Sequence, residues 1–418
     1  MRYLLSIILL VLLVFNGLLA QNDYSPCSYE ASLERLLIAD PNAQATQEAN
    51  EAWMQNFIRE QGHHGNVLSG RNTTYTIPVV LHIFHDGEEG RIDMEQIQSG
   101  LDVLNQDMQG WNDDWNDIDP AFDSIKGSLD IHFCLATIDP DGNPTTGVNY
   151  YNDPDGMLNI GDLFIHAWDN YKYLNIYLPK YVFNGPSDFT AYAYLPSTAN
   201  SDQNRDGIFY SSIRWGYGEQ SELEPGQEWG SVITHEVGHW LNLQHTFRGG
   251  CSGSGDYVDD TPPTTGSGIE LEGCYNNDFS CGVATNGENY MDYNHDCKKM
   301  FTQGQVERMV AALHLPSRMP LWSEENLMAT GCADLVNIEN LTLGEFQVFP
   351  NPAADRVELR FTEVPQILIV RNLHGQELQR ITQLSSQQFV DLQTIPAGVY
   401  LLEARYEQRR STTRLVKQ

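Results

Sequence analysis

The stretch HEVGHWLNLQH, His235 to His245, places three imidazoles at offsets 0, 4 and 10. On a helix, residues four apart share a face, so His235 and His239 address one spot. Trp229, Val232, Ile233, Val237, Trp240 and Leu241 predict a buried helix, with Pro225 near its start. If that helix ran on past Leu241, His245 would swing to another face. The chain must therefore leave the helix at about Leu241, and Asn242 is placed to make the turn. Its short amide tolerates the left-handed conformation, second only to glycine. The expectation is a positive φ at Asn242, with His245 folded back onto the spot that His235 and His239 share.

Two imidazoles one helical turn apart are a common way to hold zinc, and a glutamate beside the first is placed to act on a water there. Glu236 is that glutamate. His245 completes a set of three neutral ligands that leaves a fourth position open. The competing reading is three ordinary core histidines. It leaves the adjacent Glu236, and the turn residue between the second and third imidazole, without a reason.

The rest of the chain sets limits on this chemistry. Among 418 residues, 24 Lys and Arg face 56 Asp and Glu, a formal charge of -32. So acidic a surface argues against nucleic acid and anionic membranes as partners. Residues 1–20, MRYLLSIILLVLLVFNGLLA, have the basic start, apolar run and small final residue of a secretory signal. No second apolar run is long enough to span a bilayer. Residues 21–70 read as a separate polar segment with two stretches of helical spacing, SYEASLERLLIA and QEANEAWMQNFIREQG, that could not build a core alone, followed by an exposed linker, GHHGNVLSGRNTT. In 71–335, strands such as YTIPVVLHIFH alternate with helical patterns, which predicts an α/β domain on a mixed sheet. In that region AYAYLP, residues 191–196, is the expected sheet edge for pairing with an extended peptide. Residues 340–418 change to alternating strands and turns, a small all-β sandwich.

Export permits disulfides. Of seven cysteines, Cys251, Cys274, Cys281 and Cys297 crowd one loop-rich region, and spacing alone allows three pairings among them. Cys134 and Cys332 are candidates for a third bridge. The odd count then leaves Cys27 in the polar segment, either as a thiolate that occupies the open zinc position and keeps the protein latent, or as an incidental thiol.

HEVGHWLNLQHTF resembles the metzincin zinc proteases, and within them the pappalysin family. Asn242 is the one departure, standing where the metzincin motif has glycine. ENYMDYNHDC, GDYVDDTP and MFTQGQVERM also match patterns of that family. The resemblance covers about 75–325. It implies an α+β metzincin-like catalytic domain, cleavage of protein or peptide substrates, Glu236 as general base, Met291 in a turn beneath the zinc, and Tyr293 stabilising the developing oxyanion. It further implies crossed disulfides, Cys251–Cys281 and Cys274–Cys297. It places calcium on Asp256, Asp259 and Thr261, where a solvated acidic turn is the competing reading. Asp296 lies near where the family's primed-side pocket has its floor; there it would favour Arg or Lys after the cut, and otherwise it faces solvent.

VFPNPAADRVELRF with GVYLLEARY looks like the C-terminal sorting domains of type IX secretion. That implies export through the periplasm to the surface or medium, and the secretion machinery as a partner. An adhesive β-module is the alternative. Two functions are thus in play: a secreted zinc endopeptidase made as a zymogen, or a surface-displayed adhesion protein on the same scaffold.

Overall fold

The computed structural model describes residues 42–63, 74–158, 163–182, 191–223, 228–252, 255–266, 280–294 and 297–333, and, further on, 346–349, 353–354, 356–361, 363–372, 377–396, 398–406 and 410–417. The chain divides into two units, Met1–Ala333 and Asp334–Gln418.

The first unit is built on β1, Tyr75–His85, in which all 11 residues are buried. A run so apolar and β-branched suits a central strand covered on both faces. On one side β2 (Ile131–Leu135) and β3 (Val148–Asn152) pair with successive halves of β1, in parallel. On the other side lies β4 (Leu174–Leu178), then β6 (Ile208–Tyr210), both parallel, and at the edge β5 (Ala191–Ala193), antiparallel to β6. The expected mixed sheet is therefore present, with the AYA of AYAYLP as its edge strand.

A backing helix, Met94–Gln109, is capped by Asp93, whose side chain accepts from Gln96 N, and it ends at Gly110 with φ 66. Ile97, Leu101 and Leu104 face the core, as their spacing predicts. A short helix carrying the first two histidines, Val232–Trp240, packs against β5, β6 and the backing helix. It begins later than the sequence suggested. Glu228–Ser231 is a tighter 3₁₀ turn, and Pro225 falls outside the described residues.

The polar N-terminal segment is not separate from this core. Its helix, Ala43–His63, packs on the helix Gln303–Leu313. Met54 is fully buried among the residues of the main core, a burial worth about 1.5–3 kcal/mol. Cys134 and Cys332 are disulfide-bonded, tying β2 to the end of this unit, and so are Cys251 and Cys281. Cys297 is disulfide-bonded as well; Cys274, its expected partner, lies outside the described residues, as does Cys27.

In the second unit, two antiparallel sheets share one core. Arg356–Phe361 pairs with Phe346–Phe349 and Gln387–Asp391, and Ile367–Asn372 with Glu377–Ile381 and Gly398–Arg405. Val357 and Leu359 of one sheet meet Leu368, Val370 and Leu402 of the other, the alternation of a sandwich. Among the described residues, no helix is long and apolar enough to cross a membrane.

Candidate metal centre

The histidine helix stops where the sequence says it must. Leu241 caps it, and Asn242 has φ 67. Asn242 N donates to His239 O and Leu243 N to Gly238 O, each at 2.8 Å. These two bonds are the Schellman closure, which satisfies the last helical carbonyls and needs a left-handed residue between them. The chain then reverses and brings His245 back.

His235, His239 and His245 are all buried, and their ligand nitrogens lie within 4.8 Å of one another. Their Nε2 atoms are 3.1, 3.1 and 3.2 Å apart. Three nitrogens on a tetrahedral zinc at ~2.0–2.1 Å would be separated by roughly 3.3 Å, so the triangle has the size the ion requires. The tautomers fit too. His235 Nδ1 faces the Tyr290 carbonyl at 2.6 Å, and His239 Nδ1 faces the Leu243 carbonyl at 2.8 Å. A carbonyl only accepts, so each Nδ1 carries the proton and each Nε2 presents a lone pair to the centre. Burial, with the neighbouring charge of Lys298, pushes the His235 pKa well below its ordinary value, and burial does the same for His239. Neutral imidazoles crowding their lone pairs together repel unless a cation sits between them. The residues present fit zinc. Among the described residues, this is the one group of three or more His, Cys, Asp or Glu side chains so gathered.

Glu236 is fully buried on the same helical turn as His235. Met291 is fully buried beneath the helix. A Cβ added to Gly238 would stand 2.5 Å from Met291 Sδ, so glycine is what lets the two elements touch. The signal for that contact was available: a glycine inside a helical pattern costs about 1 kcal/mol and usually has a packing reason. The Tyr293 ring lies 4.7 Å from that of His245 and 6.1 Å from that of His235.

Two buried guanidiniums close the C-terminal end of the histidine helix, where the helix dipole favours cations. Arg318 Nε donates to Trp240 O at 3.2 Å, lies 4.2 Å over the Trp240 ring, and pairs with buried Asp206. Arg308 donates to Asn242 O at 3.2 Å and makes a bidentate pair with Glu51 of the N-terminal helix, both bonds 2.9 Å. The same helix touches the turn directly, with Asn242 Nδ2 3.0 Å from Met54 Sδ, and reaches the end of the edge-strand segment, with Asn50 Nδ2 donating to Pro196 O at 2.9 Å. Neither arginine drew notice in the sequence, because ion partners 112 and 257 residues away leave no local pattern.

The other sequence candidates are placed less closely. Asp256 is buried, accepting from Thr261 Oγ1 at 2.6 Å and Val258 N at 3.2 Å, while Asp259 is exposed. Burial pushes the Asp256 carboxyl up despite those bonds. Asp296 falls outside the described residues, and so does the linker 64–73.

Comparison with known proteins bears on the family of the chain. Residues 158–314 match the family described as pregnancy-associated plasma protein-A, and residues 347–418 match the secretion system C-terminal sorting domain. An extracellular metalloprotease of Sordaria macrospora is 39% identical over 150 residues, 34% of this chain and 48% of that protein. One from Coccidioides posadasii is 41% identical over 147 residues, 33% of this chain and 49% of that protein. The chain thus spans about half the length of these curated relatives. Mature mirolysin of Tannerella forsythia, in complex with a cleaved peptide, superposes with a TM-score of 0.53 at 30% identity, over 62% of this chain and 98% of that one. A promirolysin mutant from the same organism gives 0.58 at 28% identity, over 72% and 98%.

Proposed function

Because the chain belongs to the pappalysin family of metalloproteases and ends in a secretion sorting domain, we propose that it is a secreted zinc endopeptidase made as a latent zymogen. The observation that carries this reading is the Nε2 triangle of His235, His239 and His245, with edges of 3.1–3.2 Å, beside a buried glutamate on the same turn.

Zinc held by those three histidines supplies a Lewis acid at the scissile carbonyl and the attacking water. Glu236 takes the proton of the attacking water and passes it to the leaving amine nitrogen. The Tyr293 hydroxyl donates to the carbonyl oxygen as its charge develops. The outer edge of β5 pairs with an extended substrate backbone, leaving side chains to be read in pockets. The N-terminal segment, 21–70, is the prosegment; its helix is anchored on the catalytic unit, and Cys27 is the candidate ligand for the open zinc position. The sorting domain engages the type IX secretion machinery, and the product is released or held at the cell surface.

The reading extends to specificity and to a second metal. Asp296, outside the described residues, is the candidate that selects Arg or Lys after the cut by pairing with the incoming cation, and the linker supplies such a site at Gly70–Arg71. N-terminal sequencing of matured protein starting at Arg71 supports this, and a start elsewhere opposes it. A calcium ion at the 256–261 loop would take Asp256, Asp259 and Thr261; one zinc and no calcium per chain by metal analysis would remove it. The main test is a zymogram of the processed protein with and without chelator. Clearing that chelator abolishes and zinc restores is expected. No clearing after prosegment removal would leave an adhesion protein on the same scaffold.

A further inference from the structure

Lys298 is 2% exposed, and its Nζ donates to the carbonyl of Tyr290, at 2.7 Å, and to that of Asp292. These are the carbonyls on either side of Met291. The Tyr290 carbonyl is also the one that accepts from His235 Nδ1, at 2.6 Å. Between them, the Met291 carbonyl accepts from Thr246 N at 3.3 Å, and Thr246 follows His245. The Asp292 carboxylate closes the loop by accepting from Thr246 Oγ1 at 3.0 Å and Tyr293 N at 2.7 Å. Three successive carbonyls of the turn are therefore engaged, two by Lys298 and one by the residue after the third histidine.

Burying an ammonium is expensive, and a thioether or an alkyl chain would fill the same space without that cost. Placing the cation behind a site for a dication adds repulsion. What the ammonium offers in return is geometry: three donors on one compact head, able to bind two carbonyls at once. A carbonyl has two acceptor lone pairs, and at Tyr290 one serves Lys298 and the other His235. Partners behind a metal-binding histidine set its tautomer and ring orientation, and losing them typically costs 10–100-fold in metal affinity or activity.

We propose that Lys298 is a positioning residue of the metal centre, holding the carbonyls of Tyr290 and Asp292 so that His235 and Met291 keep their places. The proposal rests on the zinc reading above. Lys298 acts on the metal centre through the Tyr290 carbonyl, which it shares with His235 Nδ1.

The test compares full-length wild type, K298M and K298R with the prosegment intact. Two quantities are read: the rate at which bound zinc passes to a chromophoric chelator, and the rise in Tm on adding zinc to the metal-free protein. K298M should release zinc at least tenfold faster and lose most of the zinc-induced rise in Tm, and K298R should recover part of both. Equal lowering of Tm with and without zinc, with release rates within twofold of wild type, would mean that Lys298 only supports the fold and would overturn the proposal. If K298M does not fold, K298R alone decides: release rates indistinguishable from wild type together with an unchanged zinc-induced rise oppose it, and intermediate values support it. If wild type itself retains no zinc, the zinc reading fails first, and this proposal with it.

Discussion

The carbonyl oxygen of Asn242 accepts a hydrogen bond from Arg308 at 3.2 Å, so the turn that delivers His245 is tied to a guanidinium that is itself held by Glu51. Arg308 is 1% exposed, and a buried charge that loses its partner is strongly destabilising. Glu51→Ala should therefore cost about 3 kcal/mol in the full-length chain, the lower end for a broken buried pair because Glu51 is partly exposed. Burial raises the Glu51 pKa, but the hydrogen bonds and charge of Arg308 outweigh it, leaving the group below its ordinary 4.5. A carboxyl lowered on folding contributes stability above its unfolded pKa and loses it as pH falls through the folded value. Wild type should accordingly lose stability as acid is added below about pH 4.5, and Glu51→Gln should lose less over that range. Melting temperatures from pH 7 to 3 check this; parallel curves would remove the pair from the acid response.

At Asn242, φ 67 sets the tolerance. Asn242→Gly keeps the left-handed turn but gives up the 3.0 Å contact with Met54, so stability should stay within about 1 kcal/mol of wild type. Asn242→Val should cost about 1–2 kcal/mol from the left-handed strain and displace His245. Zinc content and Tm of the two variants report on it. Equal behaviour of Gly and Val would contradict the strain argument.

How much of this was legible depends on distance along the chain. The helix, its stop and the left-handed Asn242 follow from residues within one eleven-residue stretch, because helical period and turn chemistry are local. The sheet and its edge strand were legible as apolar runs, but their order in space was not. Arg308, Arg318 and Asp107 were missed for one reason: each is an ionisable residue buried by partners remote in sequence, and single-residue patterns read such residues as surface. The partners of Lys298 are near, but they are the backbone carbonyls of Tyr290 and Asp292, which no side-chain pattern shows. In the sequence the N-terminal segment reads as separate because its helix has too few apolar residues for a core of its own. Met54 is buried instead in the main core of the same unit.

Glu236→Ala should lower peptide cleavage by about 10²–10⁴-fold, the usual contribution of a general base. Zinc should stay bound, because the three histidines are untouched. Cleavage within tenfold of wild type would exclude the base role; lost zinc would point to a structural one. Metal content and kcat, measured on the same sample, separate the two.

Gly238→Ala should destabilise by about 1–3 kcal/mol, because its Cβ would sit 2.5 Å from Met291 Sδ. Met291→Ala alone should also destabilise, through the cavity it leaves. Combined, the two should cost less than their sum, since the smaller side chain makes room for the added methyl. Urea unfolding of the four proteins measures the coupling. Strict additivity would show that helix and turn do not meet as described.

Asp107 offers the last test, on the far side of the histidine helix. Its carboxylate is buried on the backing helix and accepts from Thr234 Oγ1 at 2.6 Å. Ser231, at the start of the histidine helix, and Tyr290, before Met291, also face it. Burial pushes its pKa up to about 7, with Asp114 adding to the rise and those hydroxyls opposing it. The native state therefore holds a proton that the unfolded chain gives up at 3.8. An acid raised on folding costs nothing at low pH and destabilises progressively as pH climbs from the unfolded to the folded value. Between pH 4 and 7 the native state should lose up to about 4 kcal/mol through this group. Asp107→Asn keeps an acceptor for Thr234 but has no proton to lose. Its Tm relative to wild type should rise steadily from pH 4 to 7 and level off above that. A difference in Tm that stays flat from pH 4 to 8 would mean that Asp107 is charged throughout, held so by the three hydroxyls around it.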